Sequence, residues 1–457
     1  MRSGLAFSLV ALAAVAGAQT KYDTQVKAIT DKGMHELGAY GLLQELSGGI
    51  GARLSGSPEA AKAVEWGKTT MERLGFQNVH LVPCMVPHWV RGAKEELTMT
   101  DASGATAPLT CCALGMSPGT SDEGVTAEVI EVHSVDEANK LGDAAKGKII
   151  FYNGPMDPTM MNTFGAYGQA GGQRFVGPLT AAKLGAVGAL VRSMTMDPDD
   201  VPHTGVTEFG ANDPKIPAVA LSIVAANSLH DAMAHGPVKI HLTTHCQTLP
   251  DEPSADVVGE ITGSEKPNEV IVMGGHLDSW DLGRGAHDDG AGITESLEAL
   301  RLLHDLGWKP KRTIRVILWM NEENGGRGSA AYVDYAKTAS EKHIAGMESD
   351  SGGFAPRGFG VSLTAKKARA LNKWLPALSN FEIERFYPGG EGGADVDGLA
   401  DVHATIFGLI PESQRYFDYH HSSKDTIDKV NPRELEMGAM SMAMLAWLIS
   451  EEGVPKP

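Results

Sequence analysis

The chain has 457 residues, of which 42% are hydrophobic and 21% charged, and its net charge is −18. This is globular composition, which excludes disordered, collagen-like and coiled-coil architectures, and the length predicts two or three domains with a large core. An acidic chain without a basic run excludes nucleic acid and anionic membrane surfaces as partners.

Residues 1–18 read as a signal peptide: Arg2 is the charged start, residues 5–15 are apolar, and Ala16-Gly17-Ala18 is a cleavage site, so the mature chain begins at Gln19. The run is too short for a membrane anchor, which needs roughly 20 apolar residues. Residues 437–450 are comparably apolar but short and flanked by charge, which predicts a buried helix. The expectation is a secreted or periplasmic protein. Export permits disulfides among Cys84, Cys111, Cys112 and Cys246. No C-x-x-C pair occurs, which argues against a cysteine zinc site. Since neighbours seldom bond to each other, at least one of Cys111 and Cys112 is expected to pair with Cys84 or Cys246.

Residues 19–102 predict a helical part, with helix-like apolar spacing over 23–46 and 57–74 and a Gly/Ser-rich break between them. Residues 103–248 change character: short strands at 148–152, 187–192 and 216–222 alternate with Gly/Pro/Asp turns, as in an inserted domain. Residues 249–255, with two prolines, read as the returning linker. Residues 249–457 then alternate strand and helix. Strands are predicted at 270–274, 313–320, 343–347 and 405–409, and a helix at 292–306. Asn431-Pro432 and Glu434 cap a final helix. The fold class is therefore α/β, with a mostly parallel sheet covered by helices on both faces.

Three ionisable clusters follow directly on those strands: His276-Leu277-Asp278, Asn321-Glu322-Glu323-Asn324 and Glu348-Ser349-Asp350. Ligands of open α/β sheets bind outside the carboxyl ends of strands, so these clusters should converge. Asp288-Asp289 precedes the first helix of this region, and His420-His421 precedes the last. Histidines and carboxylates without cysteine suit zinc, with manganese or cobalt as substitutes. A carboxylate bridging two ions would make a hydrolytic centre that lowers the pKa of a shared water. A free carboxylate beside a bound one can take the proton, and Glu322-Glu323 fits that pair. Asp278, two residues after His276, can orient its imidazole. Each piece has a plainer reading, since Glu95-Glu96, Asp199-Asp200, His88 and His203 are explained by surface or structural roles. The joint placement of five clusters is what points to a site.

These motifs resemble those of the M28 metallopeptidase family. Gly274-Gly275-His276-Leu277-Asp278, His287-Asp288-Asp289-Gly290, Trp319-Met320-Asn321-Glu322-Glu323, Glu348-Ser349-Asp350 and His421-Ser422-Ser423-Lys424-Asp425-Thr426 follow the family order. Pro87-His88-Trp89, Pro202-His203-Thr204-Gly205 and Lys215-Ile216-Pro217 are similar to segments of its plasma glutamate carboxypeptidase group. The resemblance implies a sheet of the zinc exopeptidase type, an insertion like a protease-associated (PA) domain, two zinc ions and a homodimer acting on peptide substrates. It implies Asp288 as the bridging ligand, joined to Asp289 by a cis peptide. His276 and Asp350 would complete one metal, Glu323 and His421 the other. Glu322 would be the general base and Asp278 the partner of His276. Asn321 departs from the small residue usual there, and the doublet leaves His420 open as an alternative to His421. Residues 389–395 resemble a substrate loop. Two other readings stay open: a single-zinc glutaminyl-cyclase-like acyltransferase, and a non-catalytic receptor on the same scaffold.

Overall fold

The computed structural model describes residues 21–390 and 392–457. The signal-peptide reading lies outside the described residues. The chain builds two mixed sheets. The first has the order β1 (Gln77–Val90), β10 (Gln247–Ile261), β12 (Arg312–Trp319), β11 (Lys266–His276), β13 (Lys342–Glu348), β16 (Thr405–Pro411), β14 (Pro356–Val361), β15 (Arg385–Pro388). Its centre, β12-β11-β13-β16, is parallel, while β1, β10 and β14 pair antiparallel toward the edges.

The apolar runs predicted as strands are apolar because both faces are covered. Ile271 and Met273 of β11, with Ile314, Val316 and Leu318 of β12, pack under helices Ala291–Asp305 and Pro432–Glu452. The alternate residues Val270, Val272, Ile317 and Trp319 pack on the other face against helix Arg327–Thr338. The last helix starts as its cap predicts, with Asn431 Oδ1 accepting from the backbone N–H groups of Arg433 and Glu434 at 2.9 and 3.4 Å. Among the described residues no helix is long and apolar enough to cross a membrane.

The second sheet runs β3 (Thr106–Pro108), β2 (Glu96–Thr100), β9 (Lys239–Thr243), β5 (Val125–Val132), β6 (Ile149–Tyr152), β7 (Gly188–Arg192), β8 (Ala218–Leu221), β4 (Cys111–Ala113), with β5 to β8 parallel. It starts earlier than the composition change at 103 suggests, because β2 already belongs to it.

Two expectations for the chain between the sheets differ from the structure. The region before residue 102 is not helical throughout: β1 occupies 14 residues of it. The prolines of 249–255 do not mark a loop, since this stretch lies inside β10 and pairs with β1, Leu249 opposite His88 and Ala255 opposite Pro83. β10 pairs with β12 only over 257–261. Before that point β1 and β10 form a two-stranded ribbon with an open side on each strand, where a missing N–H costs little.

The disulfide expectation also fails, because all four cysteines are free thiols. Cys111 and Cys112 are successive residues of a strand, so they point to opposite faces, Cys112 into one core and Cys111 against the other. Cys84 packs against the core of the first sheet. Burial pushes the thiols of Cys84, Cys111 and Cys246 up to about 12.

Within the first sheet, Arg315 of β12 is 2% exposed and donates to Glu260 at 2.8 and 2.6 Å, to both oxygens of Glu341 at 2.8 Å, and to the Tyr332 hydroxyl at 3.1 Å. Arg315→Met would leave the Glu260 carboxylate buried without a counterion. The expected loss is about 3–5 kcal/mol in urea unfolding, with little change in the activity per folded molecule.

Candidate metal centre

Because β11, β12 and β13 are parallel, their carboxyl ends meet at one edge of the sheet. His276 is the last residue of β11 and lies in register with Trp319, and Gly274 lies in register with Glu348. This alignment sets the His276, Glu322-Glu323 and Asp350 segments side by side. Asp288 comes from the tight turn Ala286–Gly290 that opens helix Ala291–Asp305, and its peptide bond to Asp289 is cis. His420 and His421 come from the loop ahead of the last helix.

Asp288 sits at the middle. Its Oδ1 is 3.2 Å from His276 Nε2, and its Oδ2 is 3.3 Å from His421 Nε2 and 3.7 Å from His420 Nε2. His276 Nε2 is also 3.6 Å from Asp350 Oδ1 and 4.0 Å from Glu322 Oε2. His421 Nε2 is 3.0 Å from Glu323 Oε2. The donor atoms of His276, Asp288 and Asp350 all lie within 4.8 Å of one another, and so do those of Asp288, His420 and His421. The two rings of the doublet stack at 3.5 Å. They differ in their other contacts: only His421 reaches Glu323, and its Nδ1 faces the Thr204 carbonyl at 3.3 Å, which leaves Nε2 as the free donor atom.

Asp278 does two jobs with different atoms. Its backbone carbonyl, 3.0 Å from His276 Nδ1, fixes that imidazole. Its carboxylate, 3.8 Å from the same nitrogen, instead accepts from the backbone N–H groups of Asn321 and Glu322 at 2.7 and 3.1 Å. The carboxylate therefore orients the Glu322 turn, where the sequence reading gave it the histidine. Asn321, with φ 78°, occupies the left-handed region that asparagine tolerates. Its side chain donates to Ser55 at 2.9 Å and to Asn324 at 2.5 Å.

Crowding dominates the electrostatics. Burial, and then the carboxylates around it, push Glu322 up to about 8. Burial and Asp288 raise Glu323 well above the carboxylate range, and burial also raises Asp350. Asp288 goes the other way. Burial would raise it, but the His276 hydrogen bond and the imidazoles of His420 and His421 hold it low. Carboxylates and imidazoles converging at such distances, with Asp288 Oδ2 buried and without a hydrogen-bond partner, are a donor set for hard or borderline divalent cations. The residues present fit zinc.

Sequence reasoning missed Arg53, which is wholly buried behind this cluster. Its guanidinium donates to the carbonyls of Leu277 at 2.8 Å, Gly51 and Arg284 at 2.9 Å and Gly285 at 3.1 Å, tying together the loop between His276 and Asp288. Its only outward sign is one arginine among the glycines and serines of residues 51–56. His203, read as structural, holds the His420 carbonyl through Nδ1 at 2.6 Å, and burial lowers its pKa to about 4.

A cavity of about 1240 Å³ opens over the cluster, between the two sheets. Glu322, Glu323 and Asp350 line it from one side, and Phe164, Tyr167 and Arg174 of helix Thr163–Phe175 from the other. Gly392 and Gly393 also line it, within the loop resembling a substrate loop.

A helix-covered α/β sheet with this edge cluster defines a metallopeptidase of the zinc exopeptidase class. Residues 256–446 match the peptidase family M28. Carboxypeptidase Q from Bos taurus is 35% identical over 410 residues, covering 89% of this chain and 84% of its own. The Homo sapiens protein of that name matches to the same extent. The crystal structure of a peptidase M28 precursor from Shewanella amazonensis superposes with a TM-score of 0.90 at 30% identity, covering 95% of this chain and 98% of that one. A zinc aminopeptidase from Bacillus subtilis shares the fold, with a TM-score of 0.61 at 18% identity over 89% of this chain and 94% of its own. The chain belongs to peptidase family M28, and it is a metallo-exopeptidase.

Arg53→Met would take the guanidinium from four carbonyls, of which those of Arg284 and Gly285 keep donors in the Ser47 hydroxyl and the Gly290 N–H, and would remove a cation from behind the acidic cluster. The expected loss is at least about 3 kcal/mol in urea unfolding, and Arg53→Lys should recover only part of it, since one ammonium cannot span all four acceptors.

Proposed function

We propose that this chain is an exported, secreted or periplasmic, two-metal exopeptidase that hydrolyses dipeptides or short peptides with free termini. The observation that carries the reading is the position of Asp288, whose two oxygens face two separate histidines, His276 and His421. Asp288 would be shared by both ions, with His276 and Asp350 on one side and Glu323 and His421 on the other. The shared position argues against the single-zinc acyltransferase reading. The full set of donors, with an adjoining cavity, argues against a receptor that has lost its chemistry.

When bound, two zinc ions polarise a scissile carbonyl and lower the pKa of an attacking water. The remaining work falls to the protein. Glu322 lines the cavity, and its backbone N–H is held by Asp278. Its carboxylate takes the proton of the attacking water at Oε2 and returns it to the leaving amine. Glu323 is turned away from that task, with one oxygen toward His421 and the other accepting from the Trp280 backbone N–H at 3.3 Å. Helix Thr163–Phe175 of the insertion lines the far side of the cavity.

Metal content tests the ligand set. Elemental analysis should find two zinc ions per wild-type chain, none in Asp288→Ala, and one weakened site in Glu323→Ala. His421→Ala should lose metal and activity, while His420→Ala keeps its metal. An Asp288→Ala protein that retains two ions would refute the shared ligand, and metal lost at His420 instead of His421 would shift the register by one residue.

Glu322→Gln tests the base. It keeps size and hydrogen bonding but cannot accept the proton. Metal content and KM should hold while kcat falls by about 10²–10⁴-fold or more. A fully metallated Glu322→Gln enzyme with near-normal kcat would assign the proton transfer to another group.

A further inference from the structure

Asp278, Asp289 and Asp425 are each held by two backbone N–H groups. Asp350 is not. Among the described residues its carboxylate accepts from no backbone N–H, and its Oδ1 faces His276 Nε2 at 3.6 Å. Its aim therefore depends on the residue before it, Ser349, which follows directly on β13. Ser349 is clamped on three sides. Its N–H donates to the Gly274 carbonyl of β11 at 3.2 Å. Its carbonyl lies so close to Gly292 of helix Ala291–Asp305 that a Cβ there would collide with it. Its hydroxyl donates to Glu295 Oε2 of the same helix at 2.6 Å.

Glu295 is an uncommon partner for a serine. It is wholly buried, its Oε1 has no hydrogen-bond partner, and among the described residues no cation pairs with it. The ionisable groups on the elements packed around it are engaged elsewhere. Arg301 donates to both oxygens of Glu298 at 2.6 and 2.5 Å, Glu436 accepts from the Ala39 N–H at 3.2 Å, and Glu348 accepts from the Val396 N–H at 2.9 Å. A carboxyl enclosed without a counterion keeps its proton. Burial, opposed only by the Ser349 hydrogen bond, accordingly pushes Glu295 up to about 8. Gly438 of the last helix makes the room, since a Cβ there would collide with Glu295 Oε1. Glycine inside a helix is unfavourable in itself, so the last helix gives up some stability where it seats this acid.

We infer that Glu295 is a positioning residue for the metal centre: it anchors the Ser349 hydroxyl and, through that residue, sets the direction of the Asp350 carboxylate toward His276. This rests on the two-metal reading and deepens it, by naming what supports the ligand that the main chain leaves unsupported. Glu295 acts through Ser349 and is not itself a ligand. The helix that begins behind Asp288 thereby also braces the strand end that carries Asp350. The task calls for a neutral acceptor. An apolar side chain would leave the hydroxyl unpaired and Ser349 free to turn, and an ionised one would place another uncompensated charge in the interior.

The test measures zinc affinity by competition with a chelator, and kcat and KM for alanyl-leucine with zinc-loaded enzyme. Glu295→Leu removes the acceptor and Ser349→Ala the donor. Each should weaken one of the two zinc ions by about 10–100-fold and lower kcat, with KM little changed. Glu295→Gln keeps an uncharged acceptor and should recover most of the loss. Combining Glu295→Leu with Ser349→Ala should be no worse than either alone, because both break the same bond. In a Glu323→Ala background, where the ion facing His421 is already weakened, Ser349→Ala should weaken the other ion by the same factor. Zinc affinity unchanged in Ser349→Ala, losses that add in the combined variant, or a Glu295→Gln enzyme as impaired as Glu295→Leu would each overturn the assignment and leave the two-metal reading standing. If Glu295→Leu does not fold, Ser349→Ala decides alone. A wild type that binds fewer than two zinc ions overturns the two-metal reading itself.

Discussion

Like charges forced together in a buried space are the constraint around which this protein is organised. Asp278, Asp288, Asp289, Glu323 and Asp425 are all nearly inaccessible, and Glu322 and Asp350 stand beside them. Unopposed, such a set would protonate or push the fold apart. Three of these carboxylates, Asp289, Asp425 and Asp278, are solvated by the main chain, each accepting from two backbone donors, although burial still raises their pKa values. Asp289 accepts from the N–H groups of His276 and Gly292, Asp425 from those of His287 and Asp288, and Asp278 from those of Asn321 and Glu322. These same bonds fix the loops on which the remaining donors sit, so holding the charge and shaping the site are one task. Arg53 supplies the fixed cation behind, and in the proposed function divalent ions would supply it in front.

The second sheet is part of this arrangement. The Thr204 N–H donates to the His421 carbonyl at 2.9 Å while the Thr204 carbonyl faces His421 Nδ1, so the inserted chain grips this residue from both ends. Lys424, three residues on, reaches Asp197 and Asp199 of the same insertion at 2.5 and 2.9 Å. His421 has a φ of 59°, an uncommon value for a residue with a Cβ, and these contacts hold it there. Docking of the two sheets and the pose of His421 are therefore linked. Loosening the insertion would reach the proposed metal ligands directly as well as opening the cavity.

What could be read from the sequence follows from how local each signal is. The parallel centre was legible because a strand buried on both faces shows as an unbroken apolar run, and an ionisable residue directly after it stands out. β1 was not, because Pro83, Pro87 and two histidines break its pattern, and its partner β10 is remote in sequence and marked by prolines of its own. The four cysteines misled because spacing says nothing about which face of which sheet a thiol occupies. Arg53 and Arg174 were invisible for a related reason: nothing beside an arginine in the sequence announces that it will be buried. Pro202-His203-Thr204-Gly205 is far in sequence from the histidine doublet yet lies against it, since the insertion folds back onto the loop of His421.

The sharpest consequence of local geometry is the difference between two adjacent glutamates. Asn321 leaves β12 in a left-handed conformation, and the Asp278 carboxylate then pins the next turn by its backbone. Beyond that bend Glu323 points inward, its side chain 2% exposed and fixed between Trp280 and His421. Glu322 points toward the cavity, its side chain 24% exposed and 4.0 Å from His276. A ligand must be immobile and a base must reach solvent-derived protons, and in the proposed mechanism one turn of backbone separates these demands between neighbours. An asparagine suits that turn because its side chain also ties the bend to Ser55 and Asn324, so the departure from a smaller residue at 321 reinforces the bend.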